Sequence, residues 1–219
     1  MPTIAADRLL EFTRRTVAAM GSAPAEAQEV ADHLVRANLA GHDSHGVGML
    51  PGYVEILAKG LLVPNQTLRA DVDAAGLVAF DAGRGFGQKM AADAVRAAIG
   101  RARAGGACVL ALKNSSHIGR IGTYGELAAG QGMAFVGFVN VADHQAWQAP
   151  WGCSDARLGT NPFCAAVPAA GGEAALLLDM ASSTIAFGKA RVARNKGVPV
   201  PEGALIDRNG RPTTDPTDL

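Results

Sequence analysis

The hydrophobic period of this chain changes at about residue 60, and that change constrains the fold more than any single motif. Before it, "ADRLLEFTRRTVAAMG" and "SAPAEAQEVADHLVRANLAG" repeat apolar residues at helical spacing and stop at Gly21 and Gly41, residues suited to the position just past a helix end. A third, shorter helix is expected within "HDSHGVGMLPGYVEILAKGLL", capped by Ser44 and ending near Gly60. Beyond it come "LVAF" (77–80), "CVLAL" (108–112), "MAFVGFV" (133–139), "FCAAVP" (163–168) and "ALLLDM" (175–180). Short apolar runs bounded by Gly, Pro, Asn or Asp read as buried strands. "GQKMAADAVRAAIGRARAGG" and "GRIGTYGELAAGQG" read as helices between them. The pattern predicts an α/β protein, with a helical N-terminal part at 1–65 and a sheet domain at 66–219. "PEGALIDRNGRPTTDPTDL" is turn-rich and extended with nothing after it to pack against, so the sheet domain is expected to be incomplete at its C-terminal end.

Charge removes several function classes. Lys+Arg and Asp+Glu each number 20 among 219 residues, so no basic stripe announces nucleic acid or an anionic membrane. The apolar runs fall short of a membrane span, and "MPTIAADRLLEF" carries acids too early for a secretory segment; a cytoplasmic protein is expected. Cys108, Cys153 and Cys164 are odd in number and form no CxxC, so reduced, mostly buried thiols are expected rather than a disulfide frame or a zinc site.

The chemistry-bearing residues cluster at element boundaries. "FDAGRGFGQKMA" (80–91) offers glycines before a helix, but Gly83, Gly85 and Gly87 alternate, which is not GxGxxG, and the next strand ends in Lys113 rather than a ribose-binding acid. An ordinary glycine-rich turn is expected there. "GHDSHG" (41–46) places His42 and His45 at i and i+3 without an obvious third ligand, so no metal site is expected. His45, flanked by Ser44 and Gly46, would sit at a helix start, where the positive dipole end favours a neutral imidazole. His117 in "KNSSHIGRIGTYGE" repeats that arrangement after a strand, with Asn114, Ser115 and Ser116 as potential caps and Gly119 and Gly122 leaving room for a ligand. A neutral imidazole at the carboxyl end of a strand can exchange a proton with a bound oxygen. "RLGTNPFCAAVP" and "LLLDMASSTIAFGKAR" set small and hydroxyl residues at strand ends, the second at a helix start suited to phosphate or ribose.

Together, "DSHGVGMLPGYV", "NSSHIGRIGTYGELA", "APWGCSDARLGTNPFCAAVP", "LLLDMASSTIAFGKARVARNKG" and "PEGALIDRNGRPTTDP" resemble the type 2 malate/L-lactate dehydrogenase family, also described as L-sulfolactate or ureidoglycolate dehydrogenase-like. The resemblance implies a non-Rossmann mixed sheet that binds NAD or NADP, a 2-hydroxy or 2-oxo acid substrate and a homodimer. It further implies that His45 and His117 lie near the substrate oxygen, one of them exchanging its proton, and that Ser44 and Tyr53 line the pocket. Asn161 and Pro162 match the family's TNP turn, and Asp179, Met180 and Ala181, with Ser182 and Ser183, match its cofactor segment.

Two departures accompany the resemblance. Family members carry an arginine four residues after the SHG histidine, where this chain has Met49, so Arg120 could substitute as the carboxylate-binding cation, the substrate could be less acidic, or carboxylate binding could be weak. The family also continues past "TTDP" through a segment resembling GGHKGYGL, so a fragment, a truncated product or one piece of a split enzyme is expected. The alternatives are a reductase or dehydrogenase for ureidoglycolate, sulfolactate, a diketo-sugar acid or a cyclic imine, or a non-catalytic remnant.

Overall fold

The computed structural model describes residues 3–141 and 145–218. Two helices, α1 (Ala6–Ala19) and α2 (Pro24–Leu39), pack against each other, and two 3-10 turns, Asp43–His45 and Val47–Met49, lead into α3 (Leu50–Ala58). Their apolar faces close on one cluster built from Val17, Ala27, Val30, Leu34, Leu50, Tyr53 and Leu62. Phe86, from well beyond residue 65, completes it.

The next elements are β1 (Arg69–Ala74), β2 (Leu77–Asp81), the long helix α4 (Gly87–Gly105) and β3 (Val109–Lys113). β1 pairs antiparallel with β2, and β2 pairs parallel with β3, so this three-stranded sheet is mixed. Parallel pairing requires a crossover, and α4 supplies it. α5 (Gly122–Ala129) then leads to a second, antiparallel sheet of β4 (Phe135–Phe138), β5 (Phe163–Pro168) and β6 (Ala174–Met180), followed by α6 (Phe187–Lys196) and a small hairpin of β7 (Leu205–Ile206) and β8 (Pro212–Thr213). The class is α/β, as the change of period predicts.

α5 packs directly on the second sheet. A Cβ added at Gly125 would stand 3.0 Å from the Ala166 Cβ and 3.1 Å from Leu177, so a larger residue there would push these neighbours aside by a few tenths of an ångström. The strands are apolar on both faces: Ala166, Leu177 and Cys164 turn toward α5, while Val136, Phe138, Leu178 and Met180 on the opposite face are exposed. That pattern belongs to a sheet made for cover on both sides.

The thiols and the helix caps differ from the expectation. Among the cysteines only Cys164 is buried, its thiol raised by desolvation to about 11; Cys108 is half-buried and Cys153 exposed. The expected caps are absent as well. Ser44 lies inside a 3-10 turn, α3 begins only at Leu50, and α5 begins at Gly122 after Ile121, none of the three elements carrying a side-chain cap. Among the described residues, no helix is long and apolar enough to cross a membrane.

Candidate active site

His117 sits on the loop that leaves β3, and the glycine-rich stretch after β2 is its foundation. The Arg84 N–H donates to the Asn114 carbonyl at 2.7 Å, the Ser116 N–H to the Gly85 carbonyl at 3.2 Å, and the Ala82 N–H to the Lys113 carbonyl at 2.9 Å. Asn114 adopts φ 52°, and its side-chain amide donates to Asp81 at 2.9 Å. The Gly83 N–H and then the Asn114 amide hold the Asp81 carboxyl below its ordinary range. The alternating glycines therefore fasten one loop to another. At Gly87, the first residue of α4, an added Cβ would lie 2.3 Å from the Ser116 carbonyl oxygen and 2.4 Å from that of His117. Gly87→Ala should cost about 1–3 kcal/mol in urea unfolding by forcing that loop away. Gly100→Ala, in the same helix with open space around it, should instead stabilise by roughly 0.5–1 kcal/mol.

A second polar clasp holds His45. Asn38 Oδ1 accepts the Val47 N–H at 2.9 Å, and Asn38 Nδ2 donates to Asp43 at 2.6 Å. Gly46 passes so close to the Asn38 amide that a Cβ there would meet it at 2.2 Å. The helix-start explanation for a neutral His45 is thus replaced by another. Burial is the main cause lowering its pKa, the neighbouring His42 adds to it, and the charge of Asp179 opposes both.

These loops bring together residues far apart in sequence. His45 Nδ1 lies 3.1 Å from His117 Nε2 across 72 positions, and the Tyr53 hydroxyl lies 2.7 Å from His117 Nδ1. Tyr53, only 2% exposed, receives a hydrogen bond at 2.6 Å from the Gln88 side-chain amide. Nothing in the sequence pattern marked Gln88, which lies one residue into α4. The His45 and His117 rings are tilted by only 22° from parallel with centroids 5.3 Å apart.

The residues matching the cofactor segment are divided. Asn161 and Ser182 hydrogen-bond to each other, which joins the turn before β5 to the segment after β6, and Ser183 Oγ donates to the Ile185 carbonyl at 2.8 Å. Ser44 touches the first turn of α6, since a Cβ at Gly188 would come within 2.7 Å of its own Cβ. Pro162 precedes β5, and its carbonyl accepts the Val139 N–H at 3.1 Å. Met180 turns to the exposed sheet face with Ala181 following it, whereas Asp179 turns inward and accepts the Gly122 N–H at 2.8 Å.

Arg120 and Met49 both have partners within the fold. The Arg120 guanidinium is buried, donates to Glu126 at 2.8 Å and lies 3.7 Å from Asp179, so two carboxylates already engage the charge proposed to substitute for the family arginine. Met49 packs against the helical core cluster. Among the described residues, no cluster of metal-ligating side chains forms.

The site thus joins His45, from the turn before α3, to His117, on the loop after β3, in a mixed α/β fold. The chain belongs to the malate/L-lactate dehydrogenase family, which it matches over residues 4–219. It is 47% identical to hydroxycarboxylate dehydrogenase B of Escherichia coli over 211 residues, 96% of this chain and 58% of that protein. It is 41% identical to L-lactate dehydrogenase of Cupriavidus necator, covering 94% of this chain and 59% of that one. The solved sulfolactate dehydrogenase of Methanocaldococcus jannaschii superposes with a TM-score of 0.88 at 32% identity, over 98% of this chain and 61% of that one. The chain thus spans about three fifths of the length of these relatives.

Proposed function

We propose that this protein is an NAD(P)-dependent oxidoreductase that interconverts a 2-hydroxy acid and its 2-oxo acid, with the His45–His117 pair exchanging the hydroxyl proton. The observation that carries the reading is the contact of the two imidazoles, backed by Tyr53, at the end of the parallel strands. Family membership and the names of its relatives support the reaction class.

The polar residues between β6 and α6 suit a nicotinamide nucleotide. Ser182, Ser183 and Asn161 offer hydroxyl and amide groups beside the first turn of α6, and Ser44 lies against that turn. These residues would hold the nucleotide near the histidines, and when bound it supplies the hydride donor or acceptor. His45 and His117 hold and move the proton: burial and His42 make a protonated His45 a stronger acid, suited to delivery onto a developing alkoxide. Tyr53 fixes the His117 ring, and its own hydroxyl keeps its proton because burial raises its pKa. Met49 makes no bidentate pair with a substrate carboxylate, so the reading includes weaker carboxylate selectivity than an arginine would give.

Fluorescence titration of the 219-residue protein with NADH and NADPH tests the reading. Saturable binding of one nucleotide, weakened by Ser182→Ala, is expected; absence of binding to the folded protein would contradict it.

A further inference from the structure

The hydrogen bonds behind His117 end on a side chain with an unusual deficit. Gln88 is 1% exposed, its Nε2 donates to the Tyr53 hydroxyl, and its Oε1 finds no partner among the described residues. We propose that Gln88 is a positioning residue that sets the direction of the hydrogen bonds through Tyr53, His117 and His45, and so decides which imidazole nitrogens carry protons; this rests on the acid/base reading of the two histidines.

With one lone pair of the Tyr53 oxygen taken by the Gln88 amide, the hydroxyl proton is directed to His117 Nδ1, 2.7 Å away. Neutral His117 then carries its proton on Nε2 and donates to His45 Nδ1 at 3.1 Å. Neutral His45 is left with its proton on Nε2, the ring nitrogen outside this chain of contacts. The pair thereby presents an N–H donor, complementary to the carbonyl oxygen of a 2-oxo acid rather than to the hydroxyl proton of a 2-hydroxy acid.

Turning the Gln88 amide over would reverse every bond. Tyr53 would donate to the Gln88 carbonyl, His117 Nδ1–H to Tyr53, and His45 Nδ1–H to His117 Nε2, leaving His45 Nε2 bare. The same heavy atoms serve both arrangements, so the amide orientation is the selector. The amide makes one bond with Tyr53 either way: the observed orientation leaves the carbonyl oxygen and one N–H without a partner among the described residues, whereas the reverse would leave both N–H donors without one. The unpaired carbonyl is the smaller cost. Phe86, edge-on to Tyr53 with ring centroids 6.0 Å apart, holds the phenol that the amide addresses.

Nitrogen-15 NMR of the histidine rings in the 219-residue protein, without cofactor or substrate and at a pH above the ordinary histidine range, reads the tautomers directly. The wild type should show His117 with an acceptor-type Nδ1 and a protonated Nε2. Gln88→Met, which fills the same space without a donor, should raise the Nδ1–H form to a population comparable with the Nε2–H form. Gln88→Asn, which withdraws the amide from the hydroxyl, should do the same and serves if the methionine variant does not fold. A wild-type His117 protonated on Nδ1, or a folded variant with unchanged ring nitrogens, overturns the proposal. The readout requires no turnover, so failure of the dehydrogenase reading would appear in the nucleotide titration and not here.

Discussion

Arg120→Met should lower the stability of the protein by about 3–5 kcal/mol at neutral pH. The guanidinium is 8% exposed and lies between Glu126, 2.8 Å away, and Asp179, itself 12% exposed. Methionine matches much of the side-chain volume, so the loss measures charge compensation and not a cavity. Without the cation Asp179 keeps the Gly122 N–H and Glu126 keeps the half-exposed Arg36, yet a buried carboxylate has lost its counter-charge. Urea unfolding gives the value directly. The double variant Arg120→Met/Asp179→Leu should recover part of the loss, because removing both partners leaves no buried charge to compensate. A loss below about 1 kcal/mol for the single variant would mean that the network is no stronger than a surface pair.

The second large effect is a loss of stability in mild acid caused by His33. Its ring is 5% exposed, accepts the Arg120 N–H at Nε2 over 3.0 Å and covers Gly119, where an added Cβ would meet that same nitrogen at 2.4 Å. Burial first, then the charges of Arg36 and Arg120 and the neighbouring His45, push its pKa down to about 4. The accepted hydrogen bond also requires the neutral form. An unfolded chain protonates the same ring near its ordinary value of 6.5, so between these two values the unfolded state binds more protons. Stability from this group is therefore full above the unfolded pKa, falls as pH drops below it, and is lost once pH passes the folded value. The total is roughly 3 kcal/mol. Unfolding midpoints measured across that window should fall in the wild type, and His33→Gln should remove this component. Equal slopes in both proteins would assign the acid sensitivity elsewhere.

Much of the framework is legible in the sequence because period and punctuation act locally. The expected helices form, and β5 occupies Phe163–Pro168, the run read from its apolar residues and flanking polar ones. β1 has no such signature: Arg69, Asp71 and Asp73 interrupt it, every residue is exposed, and only pairing with β2 makes it a strand. The capping expectations at Ser44 and Ser116 failed because 3-10 turns and irregular backbone precede the helices, which composition alone does not distinguish from a cap. His45, Tyr53 and His117 stand out by residue type and by resemblance, but their mutual contacts depend on loops joined across the fold. Gln88 is invisible for the same reason, since glutamine in a helix ordinarily faces solvent. Arg120 reads in the sequence only as a cation that could stand in for the family arginine, and its engagement by Glu126 and Asp179 depends on tertiary contacts that the sequence does not display.

Proton exchange by the paired histidines during hydride transfer is read from 2-oxo acid-dependent oxidation of NADH or NADPH. Turnover by the wild-type protein is expected, with a fall in kcat on the order of 100-fold or more in His117→Ala and nucleotide affinity nearly unchanged. Turnover in His117→Ala equal to the wild type would contradict it.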